Sequence, residues 1–357
     1  MRSVQPPVRM NSSSTTNGKS CTVFRTTLVL SFLCLSALVA ENLNLTLVST
    51  ATANLPAFHD IIMGSSSVAI RPLPSFAKGG VVIFNHVAKT GGTTIRETFS
   101  KQSNIEWQFV GGLDDLLTYS IEVDLRLSGK IRDDKILFLE LHGPVPGIFE
   151  LHDFFDRWHA MAEEHHSSFF TFTVVRDPVA YAVSFFNFIL AEPCLFNGCP
   201  YKLYAPTEEN LIETAQANYQ CMYLARDVTW FDFTENQTIP PLATEYECNA
   251  VYNVMRMDMD WIGVTDKLTS ETMPLLKHML LTDQHTAVTE SSSSPPPPFA
   301  SAVFNDVQTS KSVVLKADSL HLDTVEYIRA ISEYDQSIYD KTARDFPITM
   351  WQDLATR

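Results

Sequence analysis

Short apolar runs separated by polar segments recur along the chain and predict buried β-strands. Residues 80–85 read GVVIFN, a β-branched and aromatic run of the kind found in strands that are buried on both faces. Three further runs have the same character, at residues 135–141 (KILFLEL), 168–175 (SFFTFTVV) and 261–265 (WIGVT). Their near-continuous apolarity favours a parallel sheet that is covered on both faces.

Helical periodicity follows these strands and completes an α/β pattern. It covers residues 178–190, 207–224, 270–281 and 322–345. Thr94 and Glu97 have the spacing of a capping box, which predicts that a helix begins near Thr94. Strands that alternate with helices predict an α/β domain with a mainly parallel sheet. Segment 283–299 contains SSSSPPPP and predicts an exposed insertion.

The N-terminal segment has the pattern of a membrane-targeting sequence. An apolar run at residues 26–40 follows four cations and no acid, which favours a cytosolic N-terminus. We predict a cytosolic tail at residues 1–25, a signal anchor at 26–48, a stem at 49–77 and a lumenal domain at 78–357. The run is shorter than the roughly 20 residues of a full span. A signal peptide cleaved after residues 37–40, and hence secretion, is the alternative.

Four cysteines lie in the predicted lumenal part, where an oxidising compartment would let them pair. They are Cys194, Cys199, Cys221 and Cys248, for which three connectivities are possible and the sequence does not choose among them. A zinc site is the alternative, but the chain offers no close CxxC pair or paired histidine for it. The glycosylation sequons at Asn44 and Asn236 agree with a lumenal placement.

The composition places the chain among globular proteins and argues against one class of partner. Of the 357 residues, 45% are hydrophobic, and the formal net charge is −15. Because the N-terminal segment is basic, the acidity belongs to the predicted lumenal domain. A general nucleic-acid binder needs clustered lysine and arginine, so we expect no nucleic-acid partner.

The segment after the first predicted strand, HVAKTGGTT at residues 86–94, has the features of an anion-binding loop. A Gly-Gly turn between a strand and a helix presents backbone N–H groups and a helix dipole to an anion, and a lysine adds a cation. It is not a Walker A loop, in which the lysine follows the glycines. An ordinary strand-to-helix turn is the alternative. The candidate residues are Lys89, Thr90, Gly91, Gly92, Thr93 and Thr94.

The third predicted strand ends in a second candidate site. Asp177 suits the N-cap of the following helix and Pro178 suits its first position. Arg176 is therefore expected at the strand end, where open α/β sheets bind ligands, and with Ser184 it could hold a second phosphate. A structural salt bridge for Arg176 and a solvated hydroxyl for Ser184 are the alternatives.

These two motifs carry a resemblance to a known family. FNHVAKTGGTTI resembles the 5′-phosphosulfate loop, and VVRDPVAYAVSFF the 3′-phosphate motif, of the membrane-bound carbohydrate sulfotransferases, especially the heparan sulfate 6-O-type and 2-O-type enzymes. Weaker similarity extends over residues 217–227, 261–267 and 322–345. The resemblance implies a P-loop-like parallel sheet flanked by helices, a Golgi location, and sulfuryl transfer from 3′-phosphoadenosine 5′-phosphosulfate (PAPS) to a glycan hydroxyl. No metal is expected.

The resemblance also implies roles for individual residues. Residues 89–94 would bind the 5′-phosphosulfate, with Lys89 stabilising charge on the leaving phosphate oxygen, while Arg176 and Ser184 would bind the 3′-phosphate. A late loop of the family that lies near the nucleotide corresponds loosely to residues 308–311. Ser310 and Lys311 are therefore added as cofactor-binding candidates.

The second predicted strand ends in FLELHG, which offers two candidates for the base that accepts the proton of the acceptor hydroxyl. His142 matches the catalytic histidine in the LHA segment of the 6-O-type enzymes, whereas the HGH pattern of the 2-O-type would put that histidine on Pro144. Glu140 lies two residues before His142 and so on the same face of the strand. We predict His142 as the base, because an ordinary histidine pKa of about 6.5 suits secretory-pathway pH. Glu140 would orient His142 or the acceptor; a histidine that only closes the strand is the alternative.

Other functions stay open at this point. A non-catalytic glycan-binding protein of the same fold would be marked by loss of Lys89 or Arg176, and both are present. Sulfation of protein tyrosine is compatible with the same cofactor motifs, whereas a phosphotransferase would need a Walker lysine. The acidic domain predicts a neutral or lightly charged glycan, since a groove for a heavily sulfated polyanion should be basic. The modified hydroxyl and the oligomeric state are left open.

Overall fold

The fold is given by a computed structural model that describes residues 71–143, 145–191, 203–225, 243–281 and 314–347. Within these ranges the chain forms a five-stranded sheet in which all neighbouring strands are parallel, in the order β2-β3-β1-β4-β5. The strands are β1 (Gly80–Asn85), β2 (Ile105–Val110), β3 (Ile136–Leu141), β4 (Phe169–Val175) and β5 (Trp261–Val264). The predicted α/β fold with a parallel sheet is confirmed.

Helices flank this sheet. They are α1 (Gly92–Phe99), α2 (Leu113–Leu127), α3 (Ile148–His165), α4 (Pro178–Phe185), α5 (Glu208–Thr214), α6 (Tyr219–Ala225), α7 (Glu245–Asp258), α8 (Met273–Leu281), α9 (Leu322–Ile331) and α10 (Glu333–Asp345). A π-helical turn, Phe186–Leu190, extends α4, and another, Leu268–Thr272, precedes α8. Every residue of β3 and β4 is buried, and strand side chains alternate between faces, so both faces of the sheet centre are covered.

The four predicted strands are confirmed to within one residue at each end, but β2 was missed. β2 is an edge strand that pairs only with β3 among the described strands, and Glu106 and Gln108 interrupt its apolar run. Those two residues are only half-buried, and Glu106 pairs with Arg126 of α2 at 2.8 Å. A half-exposed edge strand lacks the continuous apolar signal that reveals a central one.

Three of the predicted helix boundaries are wrong for identifiable reasons. Helix α1 begins at Gly92 with Gly91 as its N-cap, so Thr94 lies inside the helix and the predicted capping box does not form. The predicted helix at 207–224 is split into α5 and α6, and Asn218, just before α6, has a left-handed backbone with φ 49°. The predicted helix at 322–345 is split at Ser332, into α9 and α10.

Hydrogen bonds between the two break points stabilise both of them. The Asn218 side-chain oxygen accepts from the backbone N–H groups of Tyr334 and Asp335 at the start of α10. The Asp335 carboxylate in turn accepts from the N–H groups of Gln220 and Cys221 at the start of α6, at 3.0 and 2.8 Å. Each helix thus satisfies the free N–H groups at the start of the other, which helical periodicity alone does not reveal.

One of the predicted disulfides is present, between Cys221 of α6 and Cys248 of α7. Cys194 and Cys199 lie outside the described residues, as do the sequons at Asn44 and Asn236 and the predicted anchor at 26–48. In the part of the chain that is described, no helix is long and apolar enough to cross a membrane.

The end of the predicted stem packs against the domain. Phe76 is buried, and Arg71 forms an ion pair with Asp260 at 3.2 Å and donates to the Met257 carbonyl at 3.0 Å. A truncated protein intended to keep the domain intact should therefore begin before Arg71.

Candidate active site

The candidate site lies at the carboxyl ends of the three central strands. β1 ends at Asn85, β3 at Leu141 and β4 at Val175, and Asn85 is the register partner of Leu141. The backbone N–H of His86 continues this ladder by donating to the Leu141 carbonyl at 2.9 Å. The residues that follow the three strands are therefore held side by side, at the edge where open α/β sheets bind ligands.

The loop after β1 contains two residues with a left-handed backbone conformation, one of which is a glycine. Lys89 (φ 64°) and Gly91 (φ 102°) both have positive φ. Gly91 also packs so tightly that a Cβ atom there would lie 2.5 Å from Cδ2 of Leu268. The Thr90 hydroxyl donates to the Val87 carbonyl at 2.7 Å, so it holds the loop rather than facing outward.

The first turn of α1 packs directly on a histidine ring. A Cβ atom at Gly92 would lie 2.1 Å from Nε2 and Cε1 of His86, so only glycine lets the helix begin at this distance from the ring. Thr93 is exposed and Thr94 half-buried, and the Thr94 N–H donates to the Gly91 carbonyl at 3.1 Å. The second glycine of the loop thus sets the contact between α1 and His86.

Lys89, Arg176 and Ser184 line one cavity of about 300 Å³. Nζ of Lys89 lies 3.6 Å from the centroid of the Phe188 ring, a cation–π contact. Burial, and then the charge of Arg176, lower the pKa of Lys89 to about 8. The three residues that the two sequence motifs singled out are therefore brought together, although 87 positions separate Lys89 from Arg176.

A late segment of the chain completes this cavity and adds a third cation. Residues 315–317 line it, including the exposed Lys316. The segment is held by Asn187 of the π-helical turn, whose side chain donates to the Leu315 carbonyl at 2.8 Å and accepts from the Leu315 N–H at 3.3 Å. The late-loop candidates Ser310 and Lys311 lie outside the described residues. Lys316 was not predicted, because it lies outside the matching segment at 308–311 and no local pattern distinguishes it from other exposed lysines.

Arg176 is fixed through both its backbone and its side chain. Its Nη1 donates to the Lys89 carbonyl at 2.9 Å, so it ties the end of β4 to the loop after β1. Its backbone N–H donates to Oε1 of Gln220 at 2.9 Å, and its carbonyl accepts from Nε2 of Gln220 at 2.8 Å. The predicted N-cap is confirmed, since Asp177 accepts from the Ala180 N–H at 2.9 Å.

Gln220 is a buried residue that the sequence analysis did not single out, and its role gives a prediction. Replacing Gln220 by Met keeps the size of the side chain but leaves the N–H and carbonyl of Arg176 without these partners. We expect the free energy of unfolding to fall by about 1–3 kcal/mol, the cost of unsatisfied buried polar groups. Denaturant unfolding measures it. Gln216→Met is the matched control, because among the described residues the Gln216 side chain makes one hydrogen bond, at 3.4 Å to the Thr214 carbonyl; equal stability of the two variants would contradict the role of Gln220.

Glu140 is fully buried and is engaged by two partners. Nδ1 of His86 donates to its Oε1 at 2.8 Å, and Arg96 of α1 donates through Nε to Oε2 at 2.8 Å and through Nη2 to Oε1. Burial alone would raise the pKa of Glu140, but the hydrogen bonds from His86 and Arg96 outweigh it and lower the pKa to about 2. Glu140 is therefore a buried carboxylate that holds His86 and Arg96, and no hydrogen bond joins it to His142.

His142 follows β3 and is stacked on His86, with ring centroids 4.1 Å apart. Its Nδ1 bonds to the His86 carbonyl at 3.1 Å. A carbonyl can only accept, so Nδ1 carries the proton and Nε2 keeps its lone pair in the neutral ring. Burial, and then the neighbouring His86, lower the pKa of His142 to about 4, below the ordinary value assumed from the sequence. The ring is thus neutral, with one nitrogen able to accept a proton, over the whole range of secretory pH.

Tyr223 connects the two histidine segments. Its hydroxyl donates to the His86 carbonyl at 3.2 Å and accepts from the Gly143 N–H at 3.3 Å. Across the described part of the chain, no group of three or more His, Cys, Asp or Glu side chains could hold a metal ion. The expectation that the site needs no metal stays a prediction.

A parallel sheet with a glycine loop and several cations at its carboxyl edge is an α/β arrangement that suits a bound anion. The model of the Sulfotransferase family matches residues 76–341 of the 357-residue chain. The chain therefore belongs to the Sulfotransferase family, which supports sulfuryl transfer as its activity. No curated protein matches the chain.

Proposed function

We propose that this protein transfers a sulfuryl group from PAPS to a hydroxyl of a glycan, of heparan-sulfate type or of another polysaccharide. The observation that carries the proposal is the cavity at the carboxyl edge of the sheet, where Lys89, Arg176 and Lys316 converge. No Asp or Glu stands among the described residues that line it. The cavity is therefore positive although the whole chain carries −15, and it suits a ligand with several phosphate or sulfate groups.

The residues present fit PAPS in number and kind. Lys89 and the backbone of residues 90–93 offer donors for a 5′-phosphosulfate at the start of α1, where the helix dipole also favours an anion. Arg176 and Ser184, which line the cavity together with Lys89, offer donors for a 3′-phosphate. Lys316 is a further candidate for a phosphate contact.

In the proposed mechanism, bound PAPS supplies an activated sulfuryl group attached to a phosphate leaving group. Lys89 would stabilise the negative charge that develops on the leaving phosphate oxygen, and the contact of its Nζ with the Phe188 ring holds its side chain in the cavity. His142 accepts the proton of the acceptor hydroxyl at Nε2. Glu140 acts indirectly, because it fixes His86, on which the ring of His142 stacks.

We also propose that the protein is a single-pass type II protein of the Golgi membrane, with residues 26–48 as its anchor and the catalytic domain in the lumen. The Cys221–Cys248 disulfide supports an oxidising compartment. Secretion after cleavage of the N-terminal segment is the alternative, and N-terminal sequencing of the mature protein distinguishes the two.

The role of Arg176 gives a test of nucleotide recognition. The wild-type protein is expected to bind 3′-phosphoadenosine 5′-phosphate more tightly than adenosine 5′-phosphate. Arg176→Ala should remove about 1.5–3 kcal/mol of that binding, as for a hydrogen bond to a charged group, and should leave adenosine 5′-phosphate nearly unaffected. Calorimetric titration with both nucleotides measures the difference.

The control for this titration is Arg157→Ala, since Arg157 is exposed on α3 and pairs with Asp124 of α2. It should bind both nucleotides like the wild type. A wild-type protein that binds the two nucleotides equally would contradict both the 3′-phosphate site and the use of PAPS.

A further inference from the structure

A large apolar ring is exposed beside the proposed base. Phe109 of β2 is 50% exposed, and its ring centroid lies 5.9 Å from that of His142 in an edge-on contact. Phe109 is the register partner of Glu140 on β3, so the two side chains share one face of the sheet. The ring therefore lies on the same face as the Glu140 network, next to His142.

Arg96 presents a free edge of its guanidinium group at the same place. An arginine has five N–H donors in a fixed plane, and Arg96 uses one on Nε and one on Nη2 for Glu140. No other described residue accepts from its remaining donors, which lie on Nη1 and on the second N–H of Nη2. The side chain is 39% exposed, and its guanidinium carbon lies 5.8 Å from the Phe109 ring centroid.

Glu140 makes this free edge rigid. Because the side of the guanidinium is bound to a buried carboxylate, the end formed by Nη1 and Nη2 has a fixed direction. Arginine binds carboxylates through two parallel N–H groups, and a donor pair fixed in advance loses little entropy on binding. The buried acid therefore orients a cation that is open to solvent, beside an exposed aromatic ring and a proton acceptor.

We propose that Phe109 and Arg96 form the acceptor subsite, in which a pyranose ring packs on Phe109 and the carboxylate of a hexuronate unit binds the free edge of Arg96. This inference rests on the proposed function and assigns to Phe109 and Arg96 the contacts with the hexuronate units that a heparan-sulfate-type acceptor contains. The apolar C–H face of a sugar suits the Phe109 ring, and a hydroxyl of that unit or its neighbour then lies beside His142. One carboxylate per disaccharide also agrees with a lightly charged acceptor for an acidic protein.

Two oligosaccharides test the subsite: a hexasaccharide of alternating glucuronate and N-acetylglucosamine, and the same molecule with its carboxylates reduced to alcohols. The wild type is expected to prefer the carboxylated form. Arg96→Lys keeps a cation for Glu140 but loses the planar fork, so the preference in kcat/KM should fall roughly tenfold or more. Phe109→Ala should raise KM for both oligosaccharides roughly three- to tenfold, and Phe109→Trp should restore it.

Three controls separate this proposal from the activity itself. KM for PAPS should be unchanged in every variant, and Tyr246→Ala, which removes a 53% exposed aromatic of α7, should behave like the wild type. Calorimetric binding of both oligosaccharides to protein saturated with 3′-phosphoadenosine 5′-phosphate repeats the comparison without turnover.

The outcomes are distinct. The subsite is wrong, although the activity stands, if Phe109→Ala and Arg96→Lys both leave the acceptor KM and affinity unchanged. It is also wrong if the wild type sulfates a glycan but does not bind the carboxylated hexasaccharide. Failure of the wild type to bind 3′-phosphoadenosine 5′-phosphate or to sulfate any glycan would overturn the proposed function, and the subsite with it.

Discussion

Replacement of Lys89 by alanine is expected to lower the rate of sulfuryl transfer by about 10²–10³-fold, the usual effect of removing one preorganised donor from a developing negative charge. Lys89 is the only lysine of the glycine loop, and its pKa of about 8 keeps it mostly protonated at secretory pH. The substitution should leave the fold intact, since the contact of Arg176 with residue 89 uses the backbone carbonyl. Turnover at saturating PAPS and thermal unfolding measure the two effects.

Lys130→Ala is the matched control for Lys89. Lys130 is exposed and precedes β3, at the end of the sheet opposite the cavity, so its removal should leave turnover unchanged. A folded Lys89→Ala protein with turnover near that of the wild type would show that the loop lysine does not stabilise the leaving group.

Replacement of His142 by alanine is expected to lower turnover by roughly 10²–10⁴-fold, the usual share of general-base catalysis, with nearly unchanged affinity for PAPS. The reason is the lone pair on Nε2, which the bond from Nδ1 to the His86 carbonyl leaves available. His165→Ala is the control, because His165 is exposed at the end of α3. If His142→Ala keeps full turnover while Glu140→Gln loses it, the base has been assigned to the wrong residue.

The pH dependence of turnover distinguishes a buried base from an exposed one. A histidine acts as a base only when neutral, so activity is present above its pKa and is lost as the pH falls through it. Since the pKa of His142 is lowered to about 4, the acid limb of kcat should lie near pH 4 rather than near the ordinary 6.5. An acid limb near 6.5 that disappears in the His142→Ala protein would show that the ring is solvated in the working enzyme.

The central strands could be predicted from the sequence because each is marked by a continuous apolar run within its own residues. Residues 80–85 are apolar throughout, as expected for a strand covered on both faces, and the structure has β1 at those residues. The breaks near Asn218 and at Ser332 depend instead on hydrogen bonds between α6 and α10, more than 100 positions apart in the chain. The apolar periodicity of a helix continues across such breaks, so it does not reveal them.

Some residues of the candidate site were also predictable from local motifs, whereas others depend on contacts between distant parts of the chain. The motifs containing Lys89 and Arg176 were visible because each has a characteristic spacing next to a strand. The partners of Glu140 were not, since His86 and Arg96 are 54 and 44 positions away. The period of two predicted that Glu140 and His142 share one face of the strand, but it did not indicate that Glu140 is buried and hydrogen-bonded to His86 and Arg96. Gln220 acts on Arg176 through side-chain contacts that no local pattern indicates.

The central claim, PAPS-dependent sulfuryl transfer to a glycan, is tested most directly by incubating the purified protein with isotopically labelled PAPS, a set of glycans and a tyrosine-containing peptide. Mass analysis then locates the modified group. We expect label on a sugar hydroxyl of a hexuronate-containing glycan, none on the peptide, and loss of label in the Lys89→Ala protein. Label on tyrosine, or a protein that binds glycan but transfers no label to any acceptor, would contradict the account.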